Sequence, residues 1–125
     1  MTYLIVFLGG GLGAALRHGI NILSLRWLGT AFPYGTLAVN VIGSFLLGAI
    51  MQVGLNTTLL SPDARLVLGT GVMGGFTTYS TFNYETLRYM QEGAWGLAGL
   101  NLSVTVVTCL VAGVLGTAAA RVMVG

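Results

Sequence analysis

The sequence predicts an all-α integral membrane protein with four transmembrane helices and a break in the third. Three observations carry that prediction. Charged residues make up 6% of the 125-residue chain and apolar residues 55%. An ordinary soluble domain carries about 25% charged residues, so this chain has too little polar surface to face water on every side. Mean hydropathy is +0.89, and the apolar runs at 3–25, 35–54, 62–91 and 95–123 suit spans of ~20 residues. The third run is interrupted by Gly71-Val72-Met73-Gly74-Gly75-Phe76-Thr77-Thr78-Tyr79-Ser80-Thr81-Phe82, a stretch rich in glycines and hydroxyls. Hydrocarbon offers the backbone no water, so a segment that leaves helical geometry must sit inside protein, around an ion or along a wet cavity. Four spans use up the chain, and residues 1–125 are expected to form one transmembrane domain with the lipid bilayer as its surroundings.

Charge and composition exclude several functions. The net charge of +2 is carried by scattered arginines, with no basic patch for nucleic acid. Cys109 is the only cysteine, so an intrachain disulfide is ruled out, and a small buried side chain is the expected role. There is one histidine, and the three acids lie near span ends or in a loop. No HExxH, Walker loop or paired cysteines occur. The GGGLG run has no strand before it and no βαβ unit around it, so it is not a nucleotide loop. The protein is expected not to be an enzyme.

The first segment begins without a charged leader, since its first arginine is Arg17, and is expected to be a mature span. Gly9 and Gly13 form a GxxxG pair that lets another helix come close. Arg17 either snorkels to the interface or, at greater depth, needs a partner. His18 beside it is expected at the interface. Trp27, Phe32 and Tyr34 suit an aromatic belt, and Pro33 ends any helix before it.

In the second segment Thr36, Asn40, Ser44 and Gly48 recur every four residues and line one helical side. Asn40 is its informative member, because a buried amide must find partners. It can glue helices together or donate to a permeating species.

Ser61 followed by Pro62 reads as an N-cap with proline in the first turn, and Asp63 complements the helix dipole there. Helix is expected to fail at Gly74-Gly75 and to resume near Thr78. Two half-helices would then point free carbonyls and free N–H groups at the membrane interior. Carbonyls attract a hard cation such as Na⁺, and amide donors attract an anion. Tyr79 and Phe82 share a face, as do Thr77, Thr81 and Glu85 by spacing. Aromatic edges carry partial positive charge, so that face either packs or solvates a small anion. Glu85, Arg88 and Glu92 mark the far end of the span.

The fourth segment carries Asn101, Thr105, Thr108, Ala112 and Gly116 along one side, with Gly116 and Ala120 as a small-xxx-small contact. It is expected to pack against segments two and three.

With both termini on one side, Arg65 and Arg121 fall on that side while Arg26 and Arg88 fall on the other. The positive-inside rule therefore has almost no bias to act on. The chain is expected to insert in both orientations and to pair as an antiparallel homodimer.

Four blocks together resemble the Fluc (CrcB-type) fluoride channels across essentially the whole chain. These are GGGLGAALRH around Arg17, GTLAVNVIGSFLLG around Asn40, GGFTTYSTF at the break, and the small-residue fourth span. The resemblance implies an antiparallel dual-topology homodimer in the cell inner membrane, with two pores that export fluoride passively and so relieve its toxicity. It also implies a structural Na⁺ at the centre, bound through the backbone carbonyls of Gly74 and Thr77. By position, the fluoride pathway falls on Asn40, Tyr79, Ser80, Thr81 and Phe82, and Arg17 falls at the vestibule. Thr36 is a further candidate. One departure is visible: the family usually has phenylalanine where this chain has Tyr79. Two other classes share some of these features. A small dual-topology multidrug-type antiporter needs a membrane-embedded carboxylate, which segments one, two and four lack. A non-conducting membrane assembly partner would use the same seams for packing alone.

Overall fold

The structure is a computed structural model that describes residues 1–124. Helix α1 covers Thr2–Leu28 and α2 covers Tyr34–Asn56. A short α3, Pro62–Arg65, runs straight into a π-helical stretch, Leu66–Met73, and a last α-turn, α4, Gly74–Phe76. The chain resumes as α5, Tyr79–Gln91, and ends in α6, Trp95–Val124. No strand occurs among the described residues. Helices α1, α2 and α6 are each long and apolar enough to cross a membrane.

Local chemistry sets the ends. Gly29 closes α1 with φ 78°, and its N–H donates to the Leu25 carbonyl. Pro33 caps α2. The predicted cap at Ser61 is present, its Oγ accepting from the Ala64 N–H at 3.1 Å, with Pro62 at the start of α3. Helix α5 ends in a Schellman motif: Gly93, with φ 76°, donates to Met90, and Ala94 donates to Tyr89 at 2.7 Å. That pairing satisfies the last carbonyls of the helix. The loop before α3 is tied back by Arg65, whose Nη1 donates to the Gly54 carbonyl at 3.0 Å.

Packing follows the small-residue seams. The broadest interhelical contact joins α2 to α6. A Cβ on Gly48 would lie 2.6 Å from the Gly113 carbonyl oxygen, and one on Gly116 would collide with the Phe45 carbonyl. Ala98, Asn101, Thr105, Ala112, Gly116 and Ala120 are the buried positions of α6, which is the seam read from the sequence with Ala98 added one turn earlier and with Thr108 only half-buried. Gly9 and Gly13 are the buried residues of α1. A Cβ on Gly9 would sit 3.2 Å from the Gly71 Cα, and one on Gly13 would strike the Val72 carbonyl. Such close backbone approach suits a membrane, where dispersion rather than water exclusion holds helices together. The apolar core is compact: Val39, Val72, Met73 and Phe76 cluster where α2 meets the third segment. Large apolar side chains such as Phe7, Leu110 and Val122 point outward, the distribution expected when the surroundings are lipid.

The break lies elsewhere than the glycine pair suggests. Gly74 and Gly75 are helical, with Gly74 at φ −61° and ψ −39°. Thr77 (φ −85°, ψ 159°) and Thr78 (φ −151°, ψ 113°) are the extended residues. The glycine at position 75 supplies space rather than flexibility, since a Cβ there would collide with the Gly10 carbonyl. Thr77 therefore lies outside both half-helices and shares no helical face with Thr81 and Glu85. The helices also run past several expected ends, with α1 reaching Leu28 and α2 reaching Asn56.

Candidate functional site

The site is built around Thr77 and Thr78. Extended backbone here needs partners outside its own helix, and Asn40 on α2 supplies them. Its Nδ2 donates to the Thr78 carbonyl at 2.9 Å and its Oδ1 accepts from the Thr78 N–H at 2.8 Å. In a continuous helix that N–H would close on the Gly74 carbonyl. Asn40 takes the donor, so the Gly74 carbonyl loses its helical partner, and Gly74 lies on the exposed face of the third segment. The Met73 carbonyl is satisfied twice, by the Thr77 N–H and the Thr77 Oγ1, each at 3.0 Å.

Thr78 also starts the second half-helix. Its Oγ1 accepts from the Thr81 N–H at 3.3 Å and donates to the Thr81 Oγ1 at 2.8 Å. This is an N-cap, and it leaves the amino end of α5, with its positive dipole end, facing the break. The carbonyl end of one half-helix and the amino end of the other thus both adjoin the extended pair Thr77–Thr78.

The aromatic pair stands one turn on. The Tyr79 and Phe82 rings meet edge to face, with centroids 5.8 Å apart and planes at 69°. Phe82 is 5% exposed and Tyr79 is 77% exposed, so the two rings differ sharply in setting. A cavity of about 320 Å³ opens beside them, lined by Asn40, Ser44, Thr77, Thr78, Tyr79, Phe82, Thr105 and Cys109 among others. A second cavity of about 250 Å³ lies toward the α1–α2 loop and includes Asn21, Ser24, Thr36, Thr81 and Glu85. There the Thr36 Oγ1 donates to Glu85 Oε2 at 3.0 Å. Glu85 Oε1 is buried without a hydrogen-bond partner.

The structure thus gathers Asn40, Thr77, Tyr79 and Phe82 into one cavity and puts Thr81 in the next. Ser80 is exposed and lines neither. Arg17 is half-buried on α1 and also lines neither. Among the described residues, no group of three or more His, Cys, Asp or Glu side chains could hold a metal ion. Any cation here would rely on peptide oxygens, which suits a hard ion. Sequence reasoning missed Thr78 as the clamped residue, and missed Thr86, which links α5 to α6. The polar seam on α6 pointed to one half of that link.

The match to known proteins decides the family. The family model described as "CrcB-like protein, Camphor Resistance (CrcB)" covers residues 4–117. The chain belongs to the CrcB family. Its relatives include the fluoride-specific ion channel FluC of Sorangium cellulosum (strain So ce56), 55% identical over 91% of this chain and 90% of the relative. The protein of the same name from Anaeromyxobacter sp. (strain K) is 50% identical over 98% of this chain and 97% of its own length. That of Geobacter sulfurreducens (strain ATCC 51573 / DSM 12127 / PCA) is 46% identical over 96% and 97%. Likeness extends end to end, so the break and both cavities fall within the part shared with CrcB relatives. The chain is a multi-pass membrane protein of the CrcB family.

Proposed function

We propose that the protein is a fluoride channel that lets the anion leave the cell passively through the inner membrane. The observation that carries this reading is the Asn40–Thr78 clasp, which holds two half-helices apart beside a ring-lined cavity, in a chain whose relatives are named for fluoride conduction. The third segment crosses the bilayer as two half-helices. The protein is not an enzyme. A small anion gives up tightly held water only if close donors replace it. The unused N–H of the Asn40 amide, the Ser80 and Thr81 hydroxyls and the ring edges of Tyr79 and Phe82 are of that kind. Exposed Ser80 and Tyr79 act once a second copy covers them. An inside-negative potential drives an anion outward by about 2.3 kcal/mol per 100 mV, so a passive pore favours export.

The same reading makes the working unit an antiparallel dual-topology homodimer. The balanced arginines allow both orientations, and Gly74 is exposed on the face that a second copy would cover. Backbone carbonyls of Gly74 and Thr77 from two copies would hold a structural Na⁺, and the freed Gly74 carbonyl fits that role. When bound, the ion would supply positive charge that offsets the cost of an anion in low dielectric. Arg17 serves at the vestibule.

Reconstituted protein should release fluoride from loaded liposomes, followed with a fluoride electrode. Proteoliposomes no leakier than empty vesicles would refute the channel. Flux that requires a proton gradient and an organic cation would favour the antiporter.

A further inference from the structure

Buried away from the break, a chain of hydrogen bonds runs from α6 to the backbone of Phe82. Thr105 Oγ1 donates to Asn101 Oδ1 at 3.4 Å. Asn101 Nδ2 donates to Thr86 Oγ1 at 2.9 Å, and Thr86 Oγ1 donates to the Phe82 carbonyl at 2.9 Å. All four residues are buried: Asn101 is 1% exposed, Thr86 3%, Phe82 5% and Thr105 7%. The chain begins and ends on the wall of one cavity, since Thr105 and Phe82 both line it.

Donor and acceptor counting gives this chain a direction. An asparagine amide presents an oxygen on one side and a nitrogen on the other. Thr105 stands on the oxygen side at 3.4 Å, a weak contact, and the NH₂ faces Thr86 at 2.9 Å. A hydroxyl has a single proton, and with Asn101 donating to its oxygen, Thr86 spends that proton on Phe82. The Phe82 carbonyl then accepts from a side chain in addition to its place in the helix. A threonine bonded back to the carbonyl four residues earlier bends its helix. The carbonyl so engaged belongs to the residue that lines the cavity. Contacts of α5 with the rest of the fold are chiefly with α6, and the Asn101–Thr86 bond is the polar link across that contact, beside the Thr36–Glu85 and Tyr89–Ala31 bonds that tie α5 elsewhere.

We infer that Thr105, Asn101 and Thr86 form a relay that positions the Phe82 ring edge toward the ion. They are positioning residues: none needs to touch the anion, and each acts through the next. The inference rests on the reading of Phe82 as part of the fluoride pathway. It also accounts for strongly polar side chains kept in a wholly buried part of a membrane helix pair, where unpartnered polar groups are costly.

The test uses full-length protein in liposomes, with fluoride and chloride efflux measured on the same preparations and thermal midpoints measured in detergent. Thr86→Val removes the hydroxyl at nearly constant shape, and Asn101→Leu removes its donor. Each should lower fluoride efflux about tenfold, the size of one ordinary hydrogen bond, and should lower the fluoride-to-chloride ratio. The double variant should be no worse than the poorer single, because both break one chain. Thr86→Ser, which keeps the hydroxyl, should restore both rate and ratio. A purely structural role would lower the thermal midpoint and leave the ratio of the folded protein at the wild-type value. If Thr86→Val fails to fold, Asn101→Leu, at a position that lines neither cavity, carries the same expectation for the ratio. Suppressed flux in Phe82→Ile together with wild-type rate and ratio in folded Thr86→Val overturns the relay alone. Wild-type flux in folded Phe82→Ile overturns the aromatic reading and the relay with it.

Discussion

The Asn40 side chain grips both backbone groups of Thr78, at 2.9 Å on the carbonyl and 2.8 Å on the N–H, much as a neighbouring strand would. Asn40→Ala leaves both groups without partners in a part-buried site, at a cost of about 1–3 kcal/mol for each. The expected outcome is a lower thermal midpoint in detergent along with lost fluoride efflux. Lost efflux at an unchanged midpoint would show that the amide serves the ion alone and is not needed to hold the break open.

Phe82→Ile should cut fluoride efflux by at least about tenfold in protein that still elutes as folded, since it trades one apolar side chain for another. Tyr79→Phe should leave efflux close to wild type. Both residues line the cavity, but Tyr79→Phe keeps the ring edge, whereas Phe82→Ile removes it from a side chain only 5% exposed. Efflux assays on the two variants side by side check both statements.

Glycine contacts sort the described glycines by what they do. Gly75→Ala drives a Cβ into the Gly10 carbonyl, and overpacking of that kind costs about 1–3 kcal/mol. Gly11→Ala meets nothing within 4 Å and should be neutral or slightly stabilising by helix propensity. Thermal midpoints of the two variants should differ in that order.

Sodium should matter to the assembled protein. Saturating Na⁺ at about 100 times its dissociation constant would add about 2.7 kcal/mol of stability. Replacing it with a large organic cation should therefore lower the thermal midpoint of the proposed dimer and reduce efflux. An identical midpoint in both salts would remove the metal from the account.

Much of the fold can be read from the chain because a membrane leaves few options. Spans follow from apolar length, and the Gly9/Gly13 pair and the Asn101-to-Gly116 seam follow from small residues at helical spacing. The place of the break does not follow in this way. Adjacent glycines suggest free dihedrals, whereas Gly75 is there to make room for α1, and the residue that opens the helix is Asn40, separated from Thr78 by 38 positions. The Thr36–Glu85 contact spans 49 positions and is equally invisible to local pattern. Thr86 looks like any other hydroxyl on a polar helix until Asn101 is seen beside it. The π-helical stretch has no propensity signature in its residues, and it is the part of the third segment that α1 approaches most closely, at Val67, Gly71 and Val72.

That stretch has a geometric consequence. Bonding to the fifth residue instead of the fourth makes each of the eight residues from Leu66 to Met73 advance around the axis by less than usual. The accumulated lag fixes the compass bearing at which the helix runs out and the Gly74 oxygen emerges. Removing one residue there would let the coil tighten and turn that oxygen to another bearing while the residues that follow keep their identity. The opening is thus aimed by the winding of the coil that precedes it.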